Sequence, residues 1–157
     1  MPGTPSLVAV ELLTGDGTPA LAVAIGDTLT VRVHFWASAD DPLHVSLLLK
    51  NRYDQVVTNL STFTSGLPPA APDGQGSGIV QFDISMMLEA GQYALKAVLA
   101  RPSGSNQGSV VDETDWLGPL RVSWDYERDT APFLGMFGLP VKTRLLAGVA
   151  GPAQAQP

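Results

Sequence analysis

Apolar and polar residues alternate along Leu29–Ala37 (LTVRVHFWA) and again along Leu43–Lys50 (LHVSLLLK), with Ser38-Ala39-Asp40-Asp41-Pro42 between them. A period of two marks a half-buried strand. The spacing therefore predicts a β-hairpin, with Leu29, Val31, Val33 and Phe35 facing the core from one strand and Val45, Leu47 and Leu49 from the other. The same parity turns Arg32, His34 and Trp36 away from the core, beside His44, Ser46, Leu48 and Lys50 across the turn.

Strand signals continue along the chain. Leu7–Leu13 alternates weakly and is closed by Gly15-Asp16-Gly17, and Leu21–Ile25 reads as a short strand ended by Gly26-Asp27. Asn51–Gln55 is expected to turn the chain into a further strand, Val56–Phe63. Thr64–Gly78 holds four Gly and three Pro, which neither continue a ladder nor form a helical stripe, so a long loop is expected. Ile79–Ser85 resumes alternation with Val80, Phe82 and Ile84 inward, Met86–Gly91 crosses over, and Gln92–Ala100 carries a core row of Tyr93, Leu95, Ala97 and Leu99. Ser103–Gly108 and Asp112–Gly118 read as loops, and Leu120–Trp124 as the last strand, with Trp124 on its core side. Short strands separated by Gly, Pro and Asp turns, without helices long enough to join parallel strands, predict an all-β chain folded as an immunoglobulin-like antiparallel β-sandwich.

At 157 residues the chain suits one domain, expected over residues 7–148, with a flexible N-terminal segment over 1–6 and a flexible tail over 149–157. It has no Cys, which excludes disulfides and thiolate-held metals. Nine basic against fifteen acidic residues give a formal charge of -6, and no Lys/Arg cluster could neutralise several phosphates, so nucleic acid is not an expected partner. No stretch approaches the roughly 20 apolar residues needed to span a bilayer.

The order of these features, with Phe82, Ile84, Leu88, Gly91, Tyr93 and Leu95 in the pattern F-x-I-x-x-x-L-x-x-G-x-Y-x-L and Asp115-Trp116 leading into LRVSW, carries a resemblance. The segment from Leu7 to Tyr126 resembles the C-terminal carbohydrate-binding domain of the ATPase subunit of ABC exporters of bacterial O-antigen polysaccharide. The resemblance implies a β-sandwich that recognises the end of a lipid-linked glycan in the cytoplasm, at the inner-membrane exporter. It also implies a homodimer joined through sheet edges or terminal strands, with exporter subunits as further partners. The sequence has no GxxxxGK[ST], so nucleotide hydrolysis is not a property of this segment: an ATPase domain was removed, or the module belongs to another architecture. Pro132–Pro140 (PFLGMFGLP) departs from alternation and reads as a docking arm, a terminal loop or part of a dimer contact.

On that reading the outward row of the hairpin is the candidate glycan surface. Trp36 would cover the C–H face of a sugar, while Arg32, His34, His44, Ser46 and Lys50 exchange hydrogen bonds with its hydroxyls. The opposing expectation is that the same row packs on a partner subunit, in a structural or protein-binding module without glycan affinity. Asp115 and Trp116, with Asp112 and Glu113 nearby, form a second candidate on a loop, and Tyr53 a third in the turn Asn51–Gln55. No cofactor is called for. Two histidines without a third ligand do not make a zinc site, and no EF-hand pattern supports calcium at the acidic loop. Neither G-x-S-x-G nor HExxH occurs, so no catalytic residue is assigned and an enzyme is not expected.

Overall fold

A computed structural model describes residues 4–70, 72, 76–104 and 106–148; the expected tail over 149–157 and residues 1–3 of the expected N-terminal segment lie outside the described residues. Among the described residues there are nine strands: β1 (Ser6–Thr14), β2 (Ala22–Ala24), β3 (Thr28–Trp36), β4 (His44–Asn51), β5 (Val56–Ser61), β6 (Ser77–Ser85), β7 (Gly91–Pro102), β8 (Gly108–Glu113) and β9 (Leu117–Ser123). Strands β1, β3 and β6 form a three-stranded antiparallel sheet with β3 in the middle. The second sheet has six strands, in the order β2, β9, β7, β4, β5, with β8 also paired to β7. The chain is all-β, but the expectation of purely antiparallel pairing is corrected at one edge, where β2 runs parallel to β9 with Val23 opposite Val122.

The predicted core rows are buried. Leu29, Val31, Val33 and Phe35 of β3 and Val45, Leu47 and Leu49 of β4 are at most 2% exposed, and they share one hydrophobic core with Tyr93, Leu95, Ala97 and Leu99 of β7. Each fully buried Val, Leu or Phe contributes about 1.5–3 kcal/mol relative to exposure, which is why the two periodic runs find the core with the right parity.

The predicted hairpin does not form. Strand β3 pairs with β1 and β6, whereas β4 pairs with β5 and β7, so the two runs lie in different sheets. Alternation specifies which face of a strand is buried and leaves its neighbour open. The connection over residues 37–43 makes its ladder-like contacts elsewhere: Ala37 N–H donates to Gly76 O (2.9 Å), Leu43 N–H to Ala70 O (3.3 Å) and Ala70 N–H to Leu43 O (2.7 Å). With Ala37 and Leu43 both fully buried, the chain passes from one sheet to the other at the edge of the core.

The pattern from Phe82 to Leu95 spans the reverse passage. Phe82 and Leu88 are buried at the ends of the crossover, and Tyr93 closes it, its hydroxyl donating to Glu89 O at 2.7 Å. Strand β7 is the longest, twelve residues, and it holds the second sheet together. One edge pairs with β4 along its length; on the other edge the N-terminal half pairs with β9 and the C-terminal half with β8. The expected loop over Asp112–Gly118 is accordingly corrected to residues 114–116, because Asp112 and Glu113 end β8 and Leu117 and Gly118 begin β9. Thr114 keeps this short link in register, its N–H donating to Ala97 O (3.0 Å) while its hydroxyl accepts from Ala97 N–H (3.1 Å).

Close approach explains one glycine in β6. A Cβ on Gly78 would collide with the ring of Phe35, so the bare backbone there is what lets that ring approach β6 so closely.

Candidate functional site

The outward residues of β4 now lie on the second sheet alone. His44, Ser46, Leu48 and Lys50 sit opposite Ala100, Val98, Lys96 and Ala94 of β7, and Ser46 and Leu48 sit opposite Ser61 and Asn59 of β5. At about 3.3 Å per residue the two ends of this row are roughly 20 Å apart. Each end has its own character.

At the His44 end the surface is concave. A groove of about 260 Å³ is lined by His44, Ser46, Asn59, Ser61, Phe63, Thr64, Ala100, Arg101, Pro102, Asn106, Gln107 and Gly108. Strands β4, β5 and β7 provide the floor, the turn after β5 provides Phe63 and Thr64, and the β7–β8 connection provides the opposite wall. The turn is rigid for its size: Thr64 N–H donates to Ser61 Oγ (3.0 Å), and Ser61 N–H to Thr64 Oγ1 (3.2 Å). That turn also corrects the expected strand Val56–Phe63, which ends at Ser61.

His44 is held rather than displayed. Its ring packs edge-on against Phe63, with centroids 5.4 Å apart, and Nδ1 lies 2.7 Å from Thr62 Oγ1. That hydroxyl also accepts from Val45 N–H at 3.2 Å, and where it turns its own proton to Nδ1 it favours the neutral ring. Burial pushes the His44 pKa down in the same direction. Phe63 remains 43% exposed, an aromatic surface bordered by hydroxyl and amide groups. Arg101 is the cation on the wall, and it is paired: Nε and Nη2 donate to the two carboxylate oxygens of Asp41 at 3.0 and 2.8 Å.

At the Lys50 end Trp116 lies over the sheet between two ammonium groups, with Lys50 Nζ 4.5 Å and Lys96 Nζ 5.1 Å from its ring centroid. Each lysine also meets a carboxylate, Asp54 at 2.9 Å and Glu113 at 3.4 Å. The indole is thus engaged by cation–π contacts that tie the β8–β9 link to the sheet. Asp115 is exposed on that link. Tyr53 stands at the tip of the β4–β5 turn, where Arg52 lies over its ring and donates to its hydroxyl at 2.8 Å.

Arg32, His34 and Trp36 occupy the outer face of the three-stranded sheet, away from the row of β4, which corrects the single predicted patch. Their parity is as predicted: all three are half-buried and outside the core cluster. Arg32 Nε donates to Gln81 Oε1 (2.9 Å), His34 Nε2 meets Glu11 Oε2 (2.7 Å), and Trp36 lies against Gly76, whose φ of 90° is open to glycine. Thr30 and Gln81 both donate to Asp83, and these bonds hold its carboxyl below the ordinary carboxylate range. A second depression, about 410 Å³, lies here between Thr30, Arg32, Gln81, Asp83 and the turn after β1, but its polar groups largely satisfy one another and no aromatic ring lines it.

The acidic residues considered for calcium are also occupied. Asp112 accepts from Leu7 N–H (2.8 Å) and Glu113 N–H (3.0 Å), tying β8 to β1, and Glu113 pairs with Lys96. Among the described residues no group of three or more His, Cys, Asp or Glu could hold a metal ion. Of the predicted residues, then, His44 and Ser46 come together in the groove, Lys50 and Trp116 come together at the far end, and Arg32, His34, Trp36, Tyr53 and Asp115 stand apart. Asn59, Ser61, Phe63, Arg101 and Gln107 were missed. Asn59 and Ser61 follow at a period of two in β5 and Phe63 comes from the turn after it, a spacing visible in the sequence that has no meaning until β5 is known to flank β4.

Two comparisons place the chain. Residues 4–139 match the family model described as the Wzt C-terminal domain, and the chain belongs to that family. Among solved structures it is similar to the crystal structure of the C-terminal domain of Wzt, with a TM-score of 0.72 at 11% identity over 91% of this chain and 84% of that one. A looser likeness, TM-score 0.47 at 17% identity, covers 74% of this chain and 18% of a putative beta-galactosidase from Bacteroides fragilis. No curated protein matches significantly.

The environment of His44 is open to direct measurement. Its imidazole should titrate below about 6.5 when followed by NMR, because burial favours the neutral ring. Since the unfolded chain then binds the proton first, stability is complete above the unfolded value and declines as pH falls toward the folded one; His44→Gln should flatten that decline. A titration midpoint at or above the ordinary value would contradict this environment.

Proposed function

We propose that the domain is an immunoglobulin-like β-sandwich that recognises the terminal region of a bacterial surface polysaccharide without altering it, coupling glycan selection to export by an ABC exporter. The groove over β4, β5 and β7 is the observation that carries recognition. Phe63 offers an apolar face to the C–H groups of a sugar, while Ser46, Asn59, Ser61, Thr64 and Gln107 offer hydroxyl and amide groups to its rim. Membership of the Wzt C-terminal domain family supports the export setting, in which the module works in the cytoplasm beside the inner-membrane transporter. The sequence holds no phosphate-binding loop, so the exporter's ATPase function falls to another segment or chain.

A homodimer belongs to the same proposal. After β9 the described residues, to 148, form no strand or helix; Ala90 N–H donates to the Tyr126 hydroxyl (3.4 Å), Phe133 packs against the core, Glu89 N–H donates to Met136 O (3.1 Å) and Gly138 N–H to Met87 O (2.9 Å). Beyond that point Leu139, Val141, Leu145 and Leu146 are 66–84% exposed. A row of apolar side chains on an extended segment suits association with a second copy, whose sheet edges are available for pairing.

A glycan array followed by titration tests recognition. Phe63→Ala should weaken a bound glycan about fivefold, equivalent to roughly 1 kcal/mol for about 50 Å² of apolar contact at about 25 cal/mol per Å². Trp36→Ala should leave the affinity unchanged, since that ring lies on the other sheet. The reverse ranking would move the site to the three-stranded sheet, and no binding across native O-polysaccharides would favour a structural or protein-binding module.

Light scattering tests association. The intact chain should scatter as two copies of 16.5 kDa, and Val141→Asp combined with Leu145→Asp should give one. A dimer that survives both changes would place the contact elsewhere.

A further inference from the structure

We propose that Asp41 is a specificity-determining residue: by pairing with Arg101, the cation on the groove wall, it confines the groove to uncharged glycan ends and turns acidic sugars away. The inference rests on the glycan-binding reading of this groove and adds the class of sugar it accepts.

The argument begins with what the wall offers. Ser46, Asn59, Ser61, Thr64 and Gln107 are neutral donors and acceptors, and His44 is buried against Phe63 and Thr62, where the uncharged ring is favoured. Arg101 is the one cationic side chain that lines the groove among the described residues. Left alone, its guanidinium would offer a planar fork suited to the carboxylate of a uronic acid or to a phosphate.

It is not left alone. Asp41, on the connection from β3 to β4, meets that fork with both oxygens, at 3.0 and 2.8 Å, and so fills the geometry an anionic ligand would use. Asp41 is itself fixed, its N–H donating to Ser38 O at 3.0 Å. The Arg101 bonds hold the Asp41 carboxyl below its ordinary range, so the pair stays ionised at neutral pH. A guanidinium has five N–H donors and Asp41 receives two bonds, which leaves donors for sugar hydroxyls while cancelling the charge. An anion entering the groove would give up hydration with no unpaired cation to compensate, because Asp41's charge offsets the attraction of Arg101.

The test uses an oligosaccharide that the wild type binds and the same oligosaccharide with its terminal hexose oxidised at C6 to the uronate. In titration calorimetry at low salt the wild type should prefer the neutral form roughly tenfold or more, and Asp41→Asn should raise the ratio of acidic to neutral affinity by about tenfold. Asp41→Ser provides a second variant of different shape, with folding checked by thermal melts. The gain should fade with added salt and disappear in Asp41→Asn combined with Arg101→Gln. A wild type that binds both forms alike, or well-folded Asp41 variants with the wild-type ratio, would overturn the proposal while leaving glycan recognition intact. Failure of the wild type to bind any neutral oligosaccharide would remove the underlying reading, and this proposal with it.

Discussion

Two apolar rows, Leu29, Val31, Val33 and Phe35 on β3 and Val45, Leu47 and Leu49 on β4, are buried in one core from two different sheets, and the surface chemistry of the molecule follows from that arrangement. A strand with one face in the core presents its other face outward. When consecutive strands belong to different sheets around a shared core, their outward rows can no longer form one patch. Arg32, His34 and Trp36 therefore join the ladder of Glu11, Gln81 and Asp83, while His44 and Ser46 join Asn59, Ser61 and Ala100. The polar groups of the first set are hydrogen-bonded to one another, which makes a continuous and largely self-satisfied surface. Those of the second set border a groove with an exposed aromatic ring.

Strand β7 makes that groove a fixed feature. It is paired on both edges, its inward residues Leu95, Ala97 and Leu99 are fully buried, and its C-terminal end delivers Ala100, Arg101 and Pro102 to the groove. The turn after β5 that forms one wall is short and internally bonded, as the Ser61–Thr64 contacts show. On the proposed reading, a groove arranged in this way reduces the ordering cost of binding a flexible glycan. The groove has a neutral-leaning imidazole, a guanidinium closed onto a carboxylate, and otherwise uncharged groups.

Much of the fold was legible in the sequence, because burial parity is a local property. The inward residues of β3, β4, β6 and β7 could be read one by one, and Trp124 lies half-buried against the core as its alternation with Leu120 and Val122 implies. Partners were not legible. Nothing in Leu29–Lys50 distinguishes a hairpin from a crossing between sheets, because both bury the same side chains; the decisive contacts of Ala37 and Leu43 are with Gly76 and Ala70, more than twenty residues along the chain. The site inherits that ambiguity. His44 and Ser46 were identified by parity, but Phe63, Arg101 and Gln107 come from segments that become neighbours only through the pairing of β4 with β5 and β7. Trp116 was noticed for its aromatic ring, and its two lysine contacts show that ring engaged in holding the β8–β9 link.

Backbone amide mapping by NMR separates the two faces most directly. On titration with a terminal oligosaccharide from a matched O-polysaccharide, the amide signals of Ser46, Ser61, Phe63, Gln107 and Gly108 should shift together with one saturation curve, while those of Arg32, Gln81 and Asp83 stay in place. Shifts centred on Arg32, Gln81 and Asp83, with the groove amides unmoved, would contradict the account.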